Sequence, residues 1–315
     1  MKSEVFLAGS ARTPLGSFCS AFGDVTAVQL GITAVKAAVE RSGIQVGDVD
    51  EVYIGNILSG GLKPNAARQI SIGAGLGDAV PATTLNMLCG SGMKAIMIGA
   101  QSIQCGDNNV VVAGGIENMS RAPYLLESAR TGYRMGHGEI YDSLLRDALL
   151  DAFDGSHMGT CGDKAAARYG FTREDQDTYA IQSYKRAQEA IAKGYFKSEI
   201  APHEIIDRRG NVTVVDTDEE PARFNEEKFV KLRPAFGKDG TVTAGNASSI
   251  NDGASAIIVL SAEKAKAVGI KPEARILGYA QHAHEPEWFT LAPIHAVKKL
   301  MEKLDWTPAD VDLFE

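Results

Sequence analysis

The run Asn86 to Ala95 reads NMLCGSGMKA, and it places Cys89 where an extended stretch gives way to an apolar helix. A thiol at that point lies at the positive end of the helix dipole, which favours the thiolate. Gly90 and Gly92 remove side chains around it, so a bulky acyl thioester can approach and backbone N–H groups can face its oxygen. That is the requirement of a covalent acyl-transfer nucleophile. Two other readings stay open on the residues alone. A lone Cys is commonly a small buried hydrophobe, and GSGMKA matches the dinucleotide pattern G-x-G-x-x-A. Against the second, PATTLNMLC is not a β-branched strand, and Asp107 precedes the next strand instead of ending it.

The elements that must hold this segment follow from periodicity. Strands are expected near Glu4 to Gly9 and at Glu51 to Gly55, then in a Pro81-containing stretch and at Asn109 to Gly115. Helices are expected near Ala27 to Arg41, Ala66 to Ala74 and Gly90 to Gln104. The continuous Val110 to Val112 run predicts a strand buried on both faces. From Ser120 to about Asn246 charged helices, such as Arg173 to Lys193, alternate with polar loops, as in an insertion. Strand Ala254 to Ser261, helix Ala262 to Val268 and strand ARILGYA, Ala274 to Ala280, then resume the first pattern. Alternating elements indicate an α/β fold.

An internal repeat joins the two ends. AVKAAVERSGIQVGDVD, Ala34 to Asp50, aligns without gaps to AVKKLMEKLDWTPADVD, Ala296 to Asp312, with seven of seventeen positions identical. Each copy reads as an amphipathic helix, a turn and an Asp-Val-Asp approach to a strand. In the first copy sixty-odd further residues of α/β structure follow, including Cys89, whereas the second stops at Glu315, so the second half is expected to be incomplete.

A formal net charge of −8 argues against a polyanion-binding surface, so no nucleic acid is expected. The four cysteines stand apart with no C-x-x-C pair, which suggests neither zinc nor a disulfide framework. The H-x-H pair His282 and His284 has no third ligand in view, so no metal is read there. MKSEVFLAGSARTP lacks the features of a signal peptide, and nothing later reaches the roughly 18 apolar residues of a membrane span. A cytoplasmic protein without a membrane partner is the expectation.

At the Cys89 segment the chain resembles the thiolase family, and the resemblance runs from the first strand to Glu315. It is carried by ARTPLGSF at Ala11, NMLCGSGMKA, VVVAGGIENMSRAPY at Val110, HMGTCGDKAA at His157 and LRPAFGKDGTVTAGNASSINDGASA at Leu232. The resemblance implies a five-layered αβαβα fold of two similar halves with an inserted loop domain. On this sequence that means residues 1–119 as the N-terminal half, 120–246 as the loop domain, 247–272 as the return to the first half, and 273–315 as the start of the C-terminal half.

It further implies acetyl-CoA C-acetyltransferase activity: reversible condensation of two acetyl-CoA to acetoacetyl-CoA, or thiolysis of short 3-ketoacyl-CoA, through acyl-Cys89. Coenzyme A thioesters are then substrates and no separate cofactor is needed. His157 and Met158 are expected to narrow the acyl pocket, and Ser248 to bond the pantetheine chain. Leu149, Phe236 and Ala244 are expected to line the substrate. Arg223 is the expected adenine or phosphate contact within the basic stretch Arg223, Lys228, Lys231, Arg233 and Lys238. A homodimer or homotetramer is implied.

The family draws its acid and base from a Gly-His-Pro and a Cys-Gly-Gly-Gly-like motif, and holds a catalytic water with Asn-Glu-Ala-Phe. None of these occurs in the 315 residues. They are expected in a missing C-terminal segment, so the chain is expected to lack full activity. The alternative reading is a catalytically inactive thiolase-like binding or assembly subunit.

Overall fold

The structure is a computed structural model that describes residues 3–315. Its strands are β1 (Val5–Arg12), β2 (Gly16–Ser17), β3 (Glu51–Gly55), β4 (Ala82–Leu85), β5 (Val110–Asn118), β6 (Tyr124–Leu125), β7 (Tyr141–Asp142), β8 (His203–Ile206), β9 (Val212–Val215), β10 (Asn251–Ser261) and β11 (Ala274–Arg275). Its helices are α1 (Ala27–Ser42), α2 (Ala66–Gly73), α3 (Ser91–Cys105), α4 (Met158–Tyr169), α5 (Arg173–Lys193), α6 (Glu220–Arg223), α7 (Glu226–Phe229), α8 (Ala262–Val268) and α9 (Ala292–Leu304). The chain forms two compact units. One holds the chain up to Ala148 with Lys185–Phe224 and Ser249–Arg275; the other holds Leu149–Tyr184, Asn225–Ser248 and Ile276–Glu315. The segment 120–246 is thus shared between the two.

The first unit is built on one mixed sheet in the order β11-β1-β10-β5-β3-β4, with β2 added to β10. The strands β4, β3 and β5 run parallel, while β10 is antiparallel to both β5 and β1. Alternation along β5 assigns its two faces. A Cβ built at Gly31 of α1 would meet Ile116, and one at Gly99 of α3 would meet Val111. Ile116 and Val111 point to opposite sides, so α1 and α3 cover opposite faces, and Val110, Val111 and Val112 are all fully buried.

Local chemistry sets the ends of α1. Thr26 and Gln29 form a capping box at its start, and Gly43 takes the left-handed conformation at φ 76° after its end. The repeat predicted from sequence recurs here as structure. The counterpart of Gly43 is Asp305, also left-handed at φ 56°, directly after α9. The 3₁₀ turn Val46–Asp48 has its counterpart in Pro308–Asp310.

Two expectations need correction. The strand at Ala274 to Ala280 is limited to Ala274 and Arg275, which pair with Leu7 and Phe6 of β1. Beyond Arg275 the apolar alternation continues without strand structure, because alternation specifies a face and not a partner. Pro81 lies just outside β4; its carbonyl accepts the N–H of Val52 at 3.0 Å, while its own nitrogen has no proton to give.

Within the first unit, inserted residues are tied back to β1 by Arg12. Its guanidinium donates to both carboxylate oxygens of Asp218, at 2.7 and 2.9 Å, and to Glu199 at 2.7 Å. Asp218 also accepts the N–H of Leu15 and is only 7% exposed. Arg12→Met is therefore expected to strand a buried carboxylate and cost about 3 kcal/mol in urea unfolding. A loss below about 1 kcal/mol would mean the pair is no anchor.

Candidate active site

Cys89 lies on a turn of five residues between the carboxyl end of β4 and the start of α3, and it is exposed. The turn is closed by hydrogen bonds from both sides. Leu88 N–H donates to Asn86 Oδ1 at 2.8 Å, and Met87 N–H donates to Ser91 Oγ at 2.8 Å. Ser91 donates twice to the Leu88 carbonyl, from its N–H at 2.9 Å and from its hydroxyl at 2.6 Å. These bonds hold Leu88 in the left-handed region at φ 49°, a conformation that costs a branched residue on the order of 1 kcal/mol or more. Such strain persists only where neighbours impose it. Here it turns the residue after Leu88 outward ahead of the helix.

The position of the helix start depends on small residues at the carboxyl ends of the parallel strands. A Cβ on Gly55, the last residue of β3, would come within 2.5 to 2.7 Å of Ser91 and the Gly92 nitrogen. One on Gly115 of β5 would meet Gly92 Cα at 3.4 Å. Cys89 therefore stands where open α/β sheets bind ligands, outside the carboxyl ends of parallel strands. A cavity of about 300 Å³ adjoins the same turn, lined by Asn56, Lys63, Asn65, Thr84, Leu85 and Asn86 among others.

The second unit gathers most of the other candidates. His157 caps the N-terminus of α4: its Nδ1 accepts the N–H of Gly159 at 3.0 Å. With Nδ1 acting as acceptor, the proton of the neutral ring is assigned to Nε2. The ring stacks on Phe236, with centroids 4.5 Å apart and planes at 21°. Only a glycine fits beneath it, since a Cβ on Gly159 would lie 2.2 Å from the Phe236 ring. Met158 opens α4, and Leu149 precedes Leu150, which bridges to His157.

The chain after Phe236 is held by a bridge between Pro234 and Thr243 and by Ala235 N–H donating to the Val242 carbonyl at 2.9 Å. Thr243 Oγ1 accepts from Gly245 and Asn246, and Asn246 Oδ1 accepts from Thr243 N–H. Ala244 and Ser248 lie exposed on this turn. Arg223 belongs to the first unit, where it donates to Ser20 Oγ at 2.8 Å and lies 3.9 Å from Glu219. The other four residues of the basic stretch belong to the second unit and are exposed.

Sequence reasoning missed the residues that brace these turns. Asp163 accepts from the N–H groups of Thr241 and Val242, and Asp177 accepts from Asn246 Nδ2. Asp163 lies within the run HMGTCGDKAA, but nothing local marks the role of either residue, because these partners lie 60 or more positions away in sequence. The H-x-H pair also gains a neighbour: His295 stacks on His282 at 4.7 Å and lies 5.1 Å from His284. Among the described residues, no three His, Cys, Asp or Glu side chains are arranged to hold a metal ion. Likewise, no described helix is long and apolar enough to cross a membrane.

Burial pushes the His157 imidazolium below the ordinary pKa of about 6.5. The unfolded chain then binds a proton more readily than the folded one as pH falls through 6.5, so acidification removes stability. His157→Asn keeps a capping oxygen and loses the titration. Its urea midpoint is expected to fall less between pH 7.5 and 5.5 than that of the unaltered protein. Parallel pH curves would contradict the assignment.

The family model described as Thiolase, N-terminal domain matches residues 5–263, and that for the Thiolase, C-terminal domain matches 270–315. The chain is 46% identical to an acetyl-CoA acetyltransferase of Pseudomonas aeruginosa, over 99% of this chain and 80% of that protein. It is 45% identical to one of Schizosaccharomyces pombe, over 100% of this chain and 80% of that protein. The crystal structure of a Bacillus anthracis acetyl-CoA acetyltransferase superposes with a TM-score of 0.96 at 41% identity, over 99% of this chain and 79% of that one. An Ascaris suum thiolase, Acat5, solved with coenzyme A, gives 0.93 at 41%, over 98% and 79%. The expected incomplete second half, the expected lack of full activity and the inactive alternative gain no support from these matches. With both domain models matched and such identity along almost its whole length, the chain belongs to the thiolase family.

Proposed function

We propose that the protein is an acetyl-CoA C-acetyltransferase working through an acyl thioester on Cys89. The observation that carries this reading is the exposed Cys89, braced at the carboxyl ends of parallel strands by a strained turn. The name shared by its relatives points the same way. In the first step the Cys89 thiolate attacks the thioester carbonyl, the carbon–sulfur bond of the donor breaks, and coenzyme A leaves as a thiolate that takes a proton from solvent. In the second, acetyl-CoA releases its α-proton to solvent, and the resulting carbanion attacks acyl-Cys89. The carbon–carbon bond forms and the Cys89 thiolate departs. Splitting one transfer into two attacks on a carbonyl is what a covalent nucleophile contributes.

In this reading neutral His157 offers its Nε2–H to the substrate. Met158 and Phe236 close the short acyl pocket beside it, with Leu149 and Ala244 along the wall. Ser248 meets the pantetheine chain. Arg223 meets the adenine or phosphate end and would share its charge with Glu219, so its replacement should matter least. The domain boundaries at 119, 246 and 272, a cytoplasmic location and a homodimer or homotetramer belong to the same proposal.

The test is peptide mass spectrometry after brief incubation with acetoacetyl-CoA. One acetyl group is expected on the peptide bearing Cys89 and none on those bearing Cys19, Cys105 or Cys161. Equal labelling of the four, or none on Cys89, would remove the basis of the proposal.

A further inference from the structure

Glu117 lies next to the last residue of β5, and its carboxylate is spent on a single turn. Oε1 accepts from Asn56 Nδ2 at 2.9 Å and from Leu58 N–H at 3.1 Å, while Oε2 accepts from Ile57 N–H at 2.9 Å. The turn it holds is the one that leaves β3 directly after Gly55, the residue that touches the first turn of α3. Asn56 is 2% exposed, and its own N–H donates to the carbonyl of Leu85 at 3.0 Å. Leu85 is the last residue of β4, and the next residue, Asn86, accepts the N–H of the strained Leu88. An unbroken set of hydrogen bonds thus runs from Glu117 through Asn56 to the base of the Cys89 turn.

We infer that Glu117 is a positioning residue for Cys89: its carboxylate fixes the turn 56–58, and that turn anchors the end of β4 from which the Cys89 turn springs. Its kinetic consequence rests on the reading of Cys89 as the acylated nucleophile; the mechanical link does not. A half-buried carboxylate can accept all three donors at once, whereas a glutamine offers one acceptor oxygen and an NH₂ that must face a donor. Burial pushes the Glu117 carboxyl upward and the bonds from Ile57, Leu58 and Asn56 oppose that, as expected of a group placed to accept them.

Glu117→Gln separates positioning from bulk stability. Acetylation of Cys89 by acetoacetyl-CoA needs the 3-keto carbonyl oriented toward the thiol and is expected to slow about tenfold, with KM changed less than about twofold. Iodoacetamide approaches from any side, so alkylation of Cys89 and of Cys105 should each stay within about twofold. Amide hydrogen exchange should quicken over Met87–Ser91 and stay unchanged in β1 and β10. Asn56→Ala, which leaves Glu117 its two backbone donors, should show the same changes to a smaller extent and carries the test if the first variant does not fold. Unchanged acylation and exchange would overturn the inference, as would slower labelling of both thiols with exchange raised throughout. If the unaltered protein is not acylated at Cys89 the catalytic reading fails, and the exchange pattern alone still decides the role of Glu117.

Discussion

Replacing Cys89 with alanine is expected to lower acetyl transfer by roughly 10⁴-fold or more, the scale on which covalent enzymes lose rate when the nucleophile is removed. The other thiols provide the controls. Cys105 is exposed at the opposite end of the same helix, and Cys161 is buried in the second unit with its thiol pushed up by desolvation. Cys19 is exposed and its N–H is committed to Ser120 Oγ at 2.7 Å. Cys105→Ser, a surface change, should keep the rate within about twofold. Initial rates of acetoacetyl-CoA thiolysis, with folding checked by circular dichroism, decide the matter. A Cys89→Ala protein retaining even a tenth of the rate would mean that the acyl group passes without the thiol.

Much of the fold was readable before the structure because its signals are local. The bounds of β3, α5 and α8 follow from apolar spacing, the β-branched run and the caps that end them, such as Ser261 before α8. The Cys89 turn was readable for a similar reason: two glycines and a cysteine ahead of an apolar helix are a local statement. The strain at Leu88 was not, since nothing in its side chain favours a left-handed backbone; Asn86 and Ser91 impose it. The sharing of 120–246 between two units was equally hidden. It depends on long-range pairs such as Arg12 with Asp218, whose partners are set by topology and not by spacing. His157 as a helix cap escaped notice because Ser, Thr, Asp and Asn are the usual caps.

Gly55→Ala tests whether close packing between β3 and α3 sets the position of Cys89. The added methyl would lie 2.5 Å from Ser91 Cβ, 2.6 Å from the Ser91 carbonyl carbon and 2.7 Å from the Gly92 nitrogen. Two of these atoms are backbone, so no rotamer change relieves the contact and the first turn of α3 must move away by most of an ångström. Overpacking of this kind costs roughly 2 kcal/mol of stability. The larger effect falls on rate, because a displacement near 1 Å of a reacting group costs about a hundredfold in kcat. Gly92→Ala is the control, a methyl added to the same turn without a clash. Its methyl would meet nothing nearer than Gly115 at 3.8 Å, an ordinary contact, and alanine favours a helix over glycine by up to about 1 kcal/mol. Gly92→Ala is therefore expected to be as stable as the unaltered protein or more so. Any loss of acyl transfer would then come from the methyl group set against Gly114 and Gly115, without a clash. Gly55→Ala should lose both stability and rate, with Cys89 still open to iodoacetamide. Equal urea midpoints for the two variants would show that the β3–α3 contact does not hold Cys89 where it is.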